Sequence, residues 1–159
     1  MPSYNELLKW GFEGEETVIK YLLDNYASVI PLSMRNNQIP YMFNKDTQTI
    51  SPDLLVTQRG KTFLIDVKRK SRFAWYGREK LFTTGIDIHN WEHYKKVSKM
   101  MRIPCYIFFL HELSDTSIDE VKRYDAPVQC PTGLFKVSIT TPYNHMSGSS
   151  EMVYWGVSQ

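Results

Sequence analysis

Asp53, Asp66 and Lys68 are the side chains whose types and spacing could do chemistry together. Asp53 follows Pro52, Asp66 comes after twelve intervening residues, and Lys68 stands two further on. Two carboxylates can hold a hard divalent cation. An ammonium beside them can orient a water molecule and offset negative charge growing in a transition state. Whether the three meet depends on the stretch between, Leu-Leu-Val-Thr-Gln-Arg-Gly-Lys-Thr-Phe-Leu-Ile. It reads as two short apolar strands joined by a tight turn at Arg59-Gly60. With that turn Gln58 faces Lys61, Leu55 faces Leu64 and Asp53 faces Asp66. Carboxylates opposed across a hairpin repel each other, and a cation between them turns that cost into a binding site. Asp66 and Lys68 share one strand face, while Ile65 and Val67 point to the other, into a core. The turn places Arg59 at positive φ, a strained position for a side chain; a bulged loop would instead shift the pairing by one.

Pro52, Asp53, Asp66 and Lys68, set at the open end of a hairpin, resemble the active site of the PD-(D/E)xK, or restriction-endonuclease-like, nuclease superfamily. Gly11, three residues, then Glu15 resembles the N-terminal helix motif of archaeal-type Holliday-junction resolvases, in which the glutamate joins the metal site. Glu15 also shares the inward face of Val18 and Leu22, and an acid there needs a partner. Glu16 is the alternative helix carboxylate, and dipole compensation by an acidic first turn is the plain explanation of Glu13, Glu15 and Glu16. The resemblance covers about the first 110 residues. It implies a Mg²⁺- or Mn²⁺-dependent deoxyribonuclease, an endonuclease rather than an exonuclease, leaving a 5′-phosphate. Asp53, Asp66, Glu15 and the Val67 carbonyl would be the metal ligands and Lys68 the catalytic ammonium. Many members dimerise, because cutting two strands takes two sites, so a homodimer is compatible with it.

The elements that must position these residues follow from periodicity. Residues 12–26 carry Val18, Ile19, Leu22, Leu23 and Tyr26 at helical spacing. Residues 28–33 read as a first strand, 35–49 as a long loop or short insertion, and 53–58 with 62–68 as the hairpin. Residues 69–88 read as a basic, aromatic loop. Residues 90–102 form a second helix, with Trp91, Tyr94, Val97 and Met101 on one side and Pro104 beyond its end. The apolar run 105–110 suits a strand buried on both faces. Ser117 and Glu120 have capping-box spacing for a short helix to Tyr124. Residues 134–140 and 152–157 look like strands that extend the sheet, separated by a flexible connection at 141–150. The expected fold is therefore α/β: an αβββαβ core with a mixed central sheet flanked by helices, plus C-terminal strands. We read residues 1–159 as a single domain, with its core at about 10–111 and an extension at about 112–159.

Arg69, Lys70, Arg72, Arg78 and Lys80, interleaved with Trp75 and Tyr76, directly follow the acid–lysine group. Basic and aromatic residues in one loop suit phosphate contact with base stacking; a solvated face is the alternative. Lys95, Lys96, Lys99 and Arg102 form a second basic stripe that also serves as the polar side of an amphipathic helix. His89 and His93 are four apart, but no glutamate follows the first as a zinc protease would need.

Composition narrows the rest. The 159 residues are 42% hydrophobic and 23% charged, with a net charge of only +2, so affinity for nucleic acid has to come from local clusters. Two cysteines make no disulfide framework. The first residues are too polar for a secretory signal, and no apolar run approaches a membrane span. These features read as a cytoplasmic, unanchored protein. Two other readings stay open: a non-catalytic nucleic-acid-binding module that retains this fold, and a structural domain with a coincidental motif.

Overall fold

The computed structural model describes residues 1–33 and 39–157, so part of the expected 35–49 loop lies outside the described residues. The first helix, α1 (Tyr4–Asp24), opens with a capping box: Ser3 Oγ accepts from the Glu6 N–H at 3.3 Å, and Glu6 Oε2 accepts from the Ser3 N–H at 2.6 Å. The helix thus begins at Tyr4, well before the expected residue 12. Glu6 is the acid in its first turn. Glu13, Glu15 and Glu16 stand mid-helix, so dipole compensation does not account for them.

Strand β1 (Ser28–Pro31) follows, then a hairpin of β2 (Tyr41–Phe43) and β3 (Gln48–Ile50), then β4 (Leu54–Gln58) and β5 (Lys61–Lys70). After β6 (Ala74–Tyr76) and β7 (Leu81–Asp87) the chain runs straight into α2 (Ile88–Met101), where the Asp87 side chain caps the first turn by accepting from the His89 N–H. Strand β8 (Cys105–His111), helix α3 (Ile118–Tyr124), β9 (Gly133–Ser138), β10 (His145–Ser147) and β11 (Met152–Val157) complete the chain. The expected cap of α3 is present, with Ser117 Oγ accepting from the Glu120 N–H at 3.2 Å.

The central sheet has the order β1-β4-β5-β8-β9; β5 and β8 run parallel and the other pairs are antiparallel. Set apart from the inserted strands, α1-β1-β4-β5-α2-β8 is the expected αβββαβ core. Period-two alternation divides the sheet's faces. On one side Leu54, Val56, Ile65 and Val67 pack under Val18 and Leu22 of α1. On the other, Leu64, Ile107 and Phe109 meet Tyr94 and Val97 of α2 and Val153 and Trp155 of β11.

Two further expectations are corrected. Residues 69–88 are not a loop: β5 continues to Lys70, and β6 and β7 join β10 and β11 in a second sheet ordered β10-β11-β7-β6. The partner that makes β7 a strand is β11, paired over six residues from Phe82↔Val157 to Asp87↔Met152, far away in sequence. The tail accordingly divides. Strand β9 extends the central sheet beside β8, whereas β11 builds the second sheet, with β10 inside the expected 141–150 connection. No helix among the described residues is long and apolar enough to cross a membrane.

Candidate functional site

The turn that sets the site has Arg59 at φ 50° and Gly60 at φ 74°. Two consecutive positive φ values match the twist of a two-residue hairpin. The register is the expected one: Gln58↔Lys61, Leu55↔Leu64 and Leu54↔Ile65. Asp53 lies one residue before β4 and Asp66 lies within β5. The backbone carbonyl of Asp53 accepts from the N–H groups of Leu32 and Ser33, at 2.7 and 3.2 Å. Its Oδ2 accepts from the Val67 N–H at 2.9 Å. One residue thereby ties the end of β1 and the start of β4 to β5.

Asp66 is 1% exposed, and its carboxylate faces the Lys68 ammonium and the Tyr94 hydroxyl. Lys68 Nζ stands 2.7 Å from Asp66 Oδ2. The ion pair offsets one of the carboxylate charges gathered here. Lys68 also donates to the Tyr94 hydroxyl of α2 at 3.5 Å, and its ammonium lies over the Tyr94 ring. Tyr94 was expected only as a core residue. A hydroxyl-bearing aromatic on the inward face of a helix was the one sequence signal of its polar role.

Burial pushes the Asp53 carboxyl well above its ordinary pKa; Asp66 and Glu15 add to the rise, and Lys68 and the Val67 N–H oppose it. Burial likewise raises Glu15, against the hydrogen bond from Ser33 Oγ at 2.8 Å. Burial alone would lower Lys68, but Asp66, Asp53 and Glu15 outweigh it and hold the ammonium above its usual pKa. Glu15 thus reaches the site electrostatically from α1 and is anchored by Ser33, a residue that sequence reasoning did not single out.

Asp53, Lys68, Glu15 and Ser33 form the floor of an open cleft of about 350 Å³, with Asn90 and Tyr94 contributed by α2. Among the described residues no three His, Cys, Asp or Glu side chains converge as a ready-made metal cage. A hard cation that keeps most of its waters needs only one or two carboxylates. The buried carboxylate of Asp66 beside Asp53 and Glu15 carries more negative charge than Lys68 offsets, which fits that demand, and the all-oxygen donor set suits Mg²⁺ or Mn²⁺. Val67, whose carbonyl is the other expected ligand, gives its N–H to Asp53.

The basic and aromatic residues expected to bind nucleic acid have diverse settings. Arg69 bonds Glu112 at 2.6 and 2.9 Å, Glu13 at 3.1 Å and the Trp10 carbonyl at 2.8 Å, and stacks on the Trp10 ring. Its guanidinium ties α1 to β5 and to the residue after β8. Lys70 shares the strand face of Lys68 and is lowered in pKa by burial and then by Lys68. Arg72 approaches Asp115 at 3.5 Å. Trp75 packs edge-on against Phe82, and Tyr76 stacks on His145, so both belong to the second sheet. Arg78 and Lys80 are exposed in the β6–β7 turn. His89 and His93 diverge: His89 meets Glu151 at 3.3 Å, and His93 Nδ1 accepts from the Ile50 N–H at 3.1 Å. They do not form a zinc pair.

No protein-family model matches this chain, and no curated protein does. Among solved structures it is similar to a Holliday junction resolvase, Hjc, from the archaeal hyperthermophile Archaeoglobus fulgidus. The two chains are 11% identical with a TM-score of 0.47, over 80% of this chain and 88% of that one. That likeness is one of chain path, and no chemistry is carried over from it.

Proposed function

We propose that the protein hydrolyses nucleic-acid phosphodiester bonds, in DNA, with Mg²⁺ or Mn²⁺ held by Asp53 and Asp66. The observation that carries this reading is Asp66. Its buried carboxylate stands beside Asp53 and Glu15 with a single ammonium, Lys68, 2.7 Å away, an excess of negative charge that is costly unless a cation offsets it, and it lies behind the floor of an open cleft. When bound, the ion supplies Lewis-acid polarisation of a phosphoryl oxygen and lowers the pKa of a water.

The chain's own groups do the remaining work. Lys68 stays charged because three carboxylates surround it, and it lines the cleft. There it donates to the attacking water and offsets the negative charge that develops on the phosphoryl oxygens. Tyr94 and Asp66 hold its ammonium from two sides. Glu15, fixed by Ser33, adds a third negative charge that strengthens the site's affinity for a cation. Arg78 and Lys80, exposed in the β6–β7 turn, would contact the phosphate backbone.

The test is cleavage of a labelled four-way junction, flap, duplex and single strand with Mg²⁺ or Mn²⁺. Wild type should cut at least one of them. Asp66→Ala should abolish cutting, and Lys68→Ala should slow it by about 10²–10³-fold, as loss of a preorganised donor does. Cutting that survives both substitutions would sink the assignment. Salt-sensitive binding without any cutting would favour the non-catalytic binding module.

A further inference from the structure

The walls of the cleft differ from its floor. Tyr4, Leu8 and Phe12 fall at helical spacing on α1 and line one side; Ile39, Pro40 and Ile50 line the other. Packing does not account for the aromatic residues among and beside them: Tyr4 is 72% exposed, Tyr41 42% and Phe43 71%. In the β2–β3 hairpin Tyr41 lies opposite Ile50 and Phe43 opposite Gln48. Residues opposed in an antiparallel pair share a face. Tyr41 and Phe43 therefore share one face of a hairpin that borders the cleft through Ile50. Lys68 is the sole cation among the described lining residues.

A duplex shows phosphates to whatever encloses it and calls for Lys and Arg on the walls. An unpaired strand shows base faces, which stack on aromatic side chains whatever the sequence. The aromatic and apolar side chains that α1 and the β2–β3 hairpin bring to the described walls match the second. We infer that the cleft takes an unpaired strand. The phosphate lies on the Lys68–acid floor, one neighbouring base stacks against the Tyr4–Phe12 wall, and another stacks against the Tyr41–Phe43 hairpin. This inference deepens the nuclease reading and rests on it: it makes single strands, or the frayed arms of branched DNA, the substrate class.

The experiment measures equilibrium binding by fluorescence anisotropy, in EDTA and in an Asp66→Asn background so that nothing is cut. The ligands are a single-stranded oligonucleotide and the blunt duplex of the same sequence, and a 2-aminopurine in the single strand reports stacking. The single strand should bind more tightly than the duplex. Tyr4→Ala and Phe43→Ala should each weaken single-strand binding by about fivefold or more, reduce the change in 2-aminopurine emission, and leave duplex binding alone. Tyr26→Ala, which removes an aromatic that is 94% exposed beyond the far end of α1, should change neither. Tighter binding of the duplex overturns the inference, as does wild-type single-strand affinity in both cleft variants. Hydrolysis is judged separately. Stacking-dependent binding by a protein that cuts nothing keeps the strand site and removes the nuclease, whereas metal-dependent cutting with unaffected variants does the reverse.

Discussion

Lys68→Met isolates the electrostatic reasoning behind the site. Asp66 is 1% exposed, and the Lys68 side chain, 2.7 Å away, is 28% exposed. Removing one partner of a buried pair costs about 3–5 kcal/mol, because the other charge is left stranded. The part-exposure of Lys68 places the expected loss at the lower end, about 3 kcal/mol. A chain of this length loses roughly 2–4 °C of Tm per kcal/mol, so Tm should fall by roughly 6–12 °C. Asp66→Asn alone should stay within about 1 kcal/mol of wild type, since it also relieves repulsion with Asp53. The double variant should recover most of the loss, giving a coupling of about 2 kcal/mol. Urea unfolding of the four proteins in EDTA at pH 8 and 25 °C measures the cycle. A Lys68→Met protein within about 1 kcal/mol of wild type would refute the argument, because it would mean that water already screens the acid pair.

Metal should act on the same groups. At about a hundredfold excess over its Kd, Mg²⁺ should stabilise wild type by about 2.7 kcal/mol, a rise of roughly 5–11 °C in Tm; the rise should vanish in Asp66→Asn, as checked by thermal unfolding with and without EDTA. The raised Asp53 pKa carries a sign for pH dependence. Its contribution to stability is fully present below its unfolded pKa, near 4, and is lost as pH rises through the higher folded value. His111 works in the opposite sense: burial, then Lys70, lowers it to about 4, so its contribution is present above 6.5 and lost as pH falls through 4. The Tm difference between wild type and Asp53→Asn in EDTA cancels the His111 effect, and wild type should lose ground to the variant as pH rises from about 5 to 8. Arg69→Ala should cost about 1–2 kcal/mol in urea unfolding, after allowing for its half-exposed partners, with no change in the salt slope of DNA binding. A normal stability with a shallower salt slope would return Arg69 to the nucleic-acid interface.

The acid–lysine group was legible in the sequence because it depends on local rules. A two-residue turn at Arg59-Gly60 dictates which residues oppose each other, and strand alternation puts Asp66 and Lys68 on one face whatever the rest of the chain does. The β8 run and the Ser117 cap of α3 were legible for the same reason. Other features depend on partners remote in sequence, and those only the tertiary structure decided. Residues 81–87 carry buried threonines and read as loop until β11 pairs with them. Arg69 reads as a free cation until the fold brings Glu13, Glu112 and the Trp10 carbonyl to it. Ser33 and Tyr94 gain their roles from the acids and lysine they meet across the fold. The cleft walls stayed hidden because a polar first turn masked the true start of α1 at the Ser3–Glu6 box, leaving Tyr4 and Leu8 outside the expected helix. Turn geometry and strand period act over a few residues and can be read along the chain. Burial, charge pairing and the shape of a cleft are set by what the folded chain brings together.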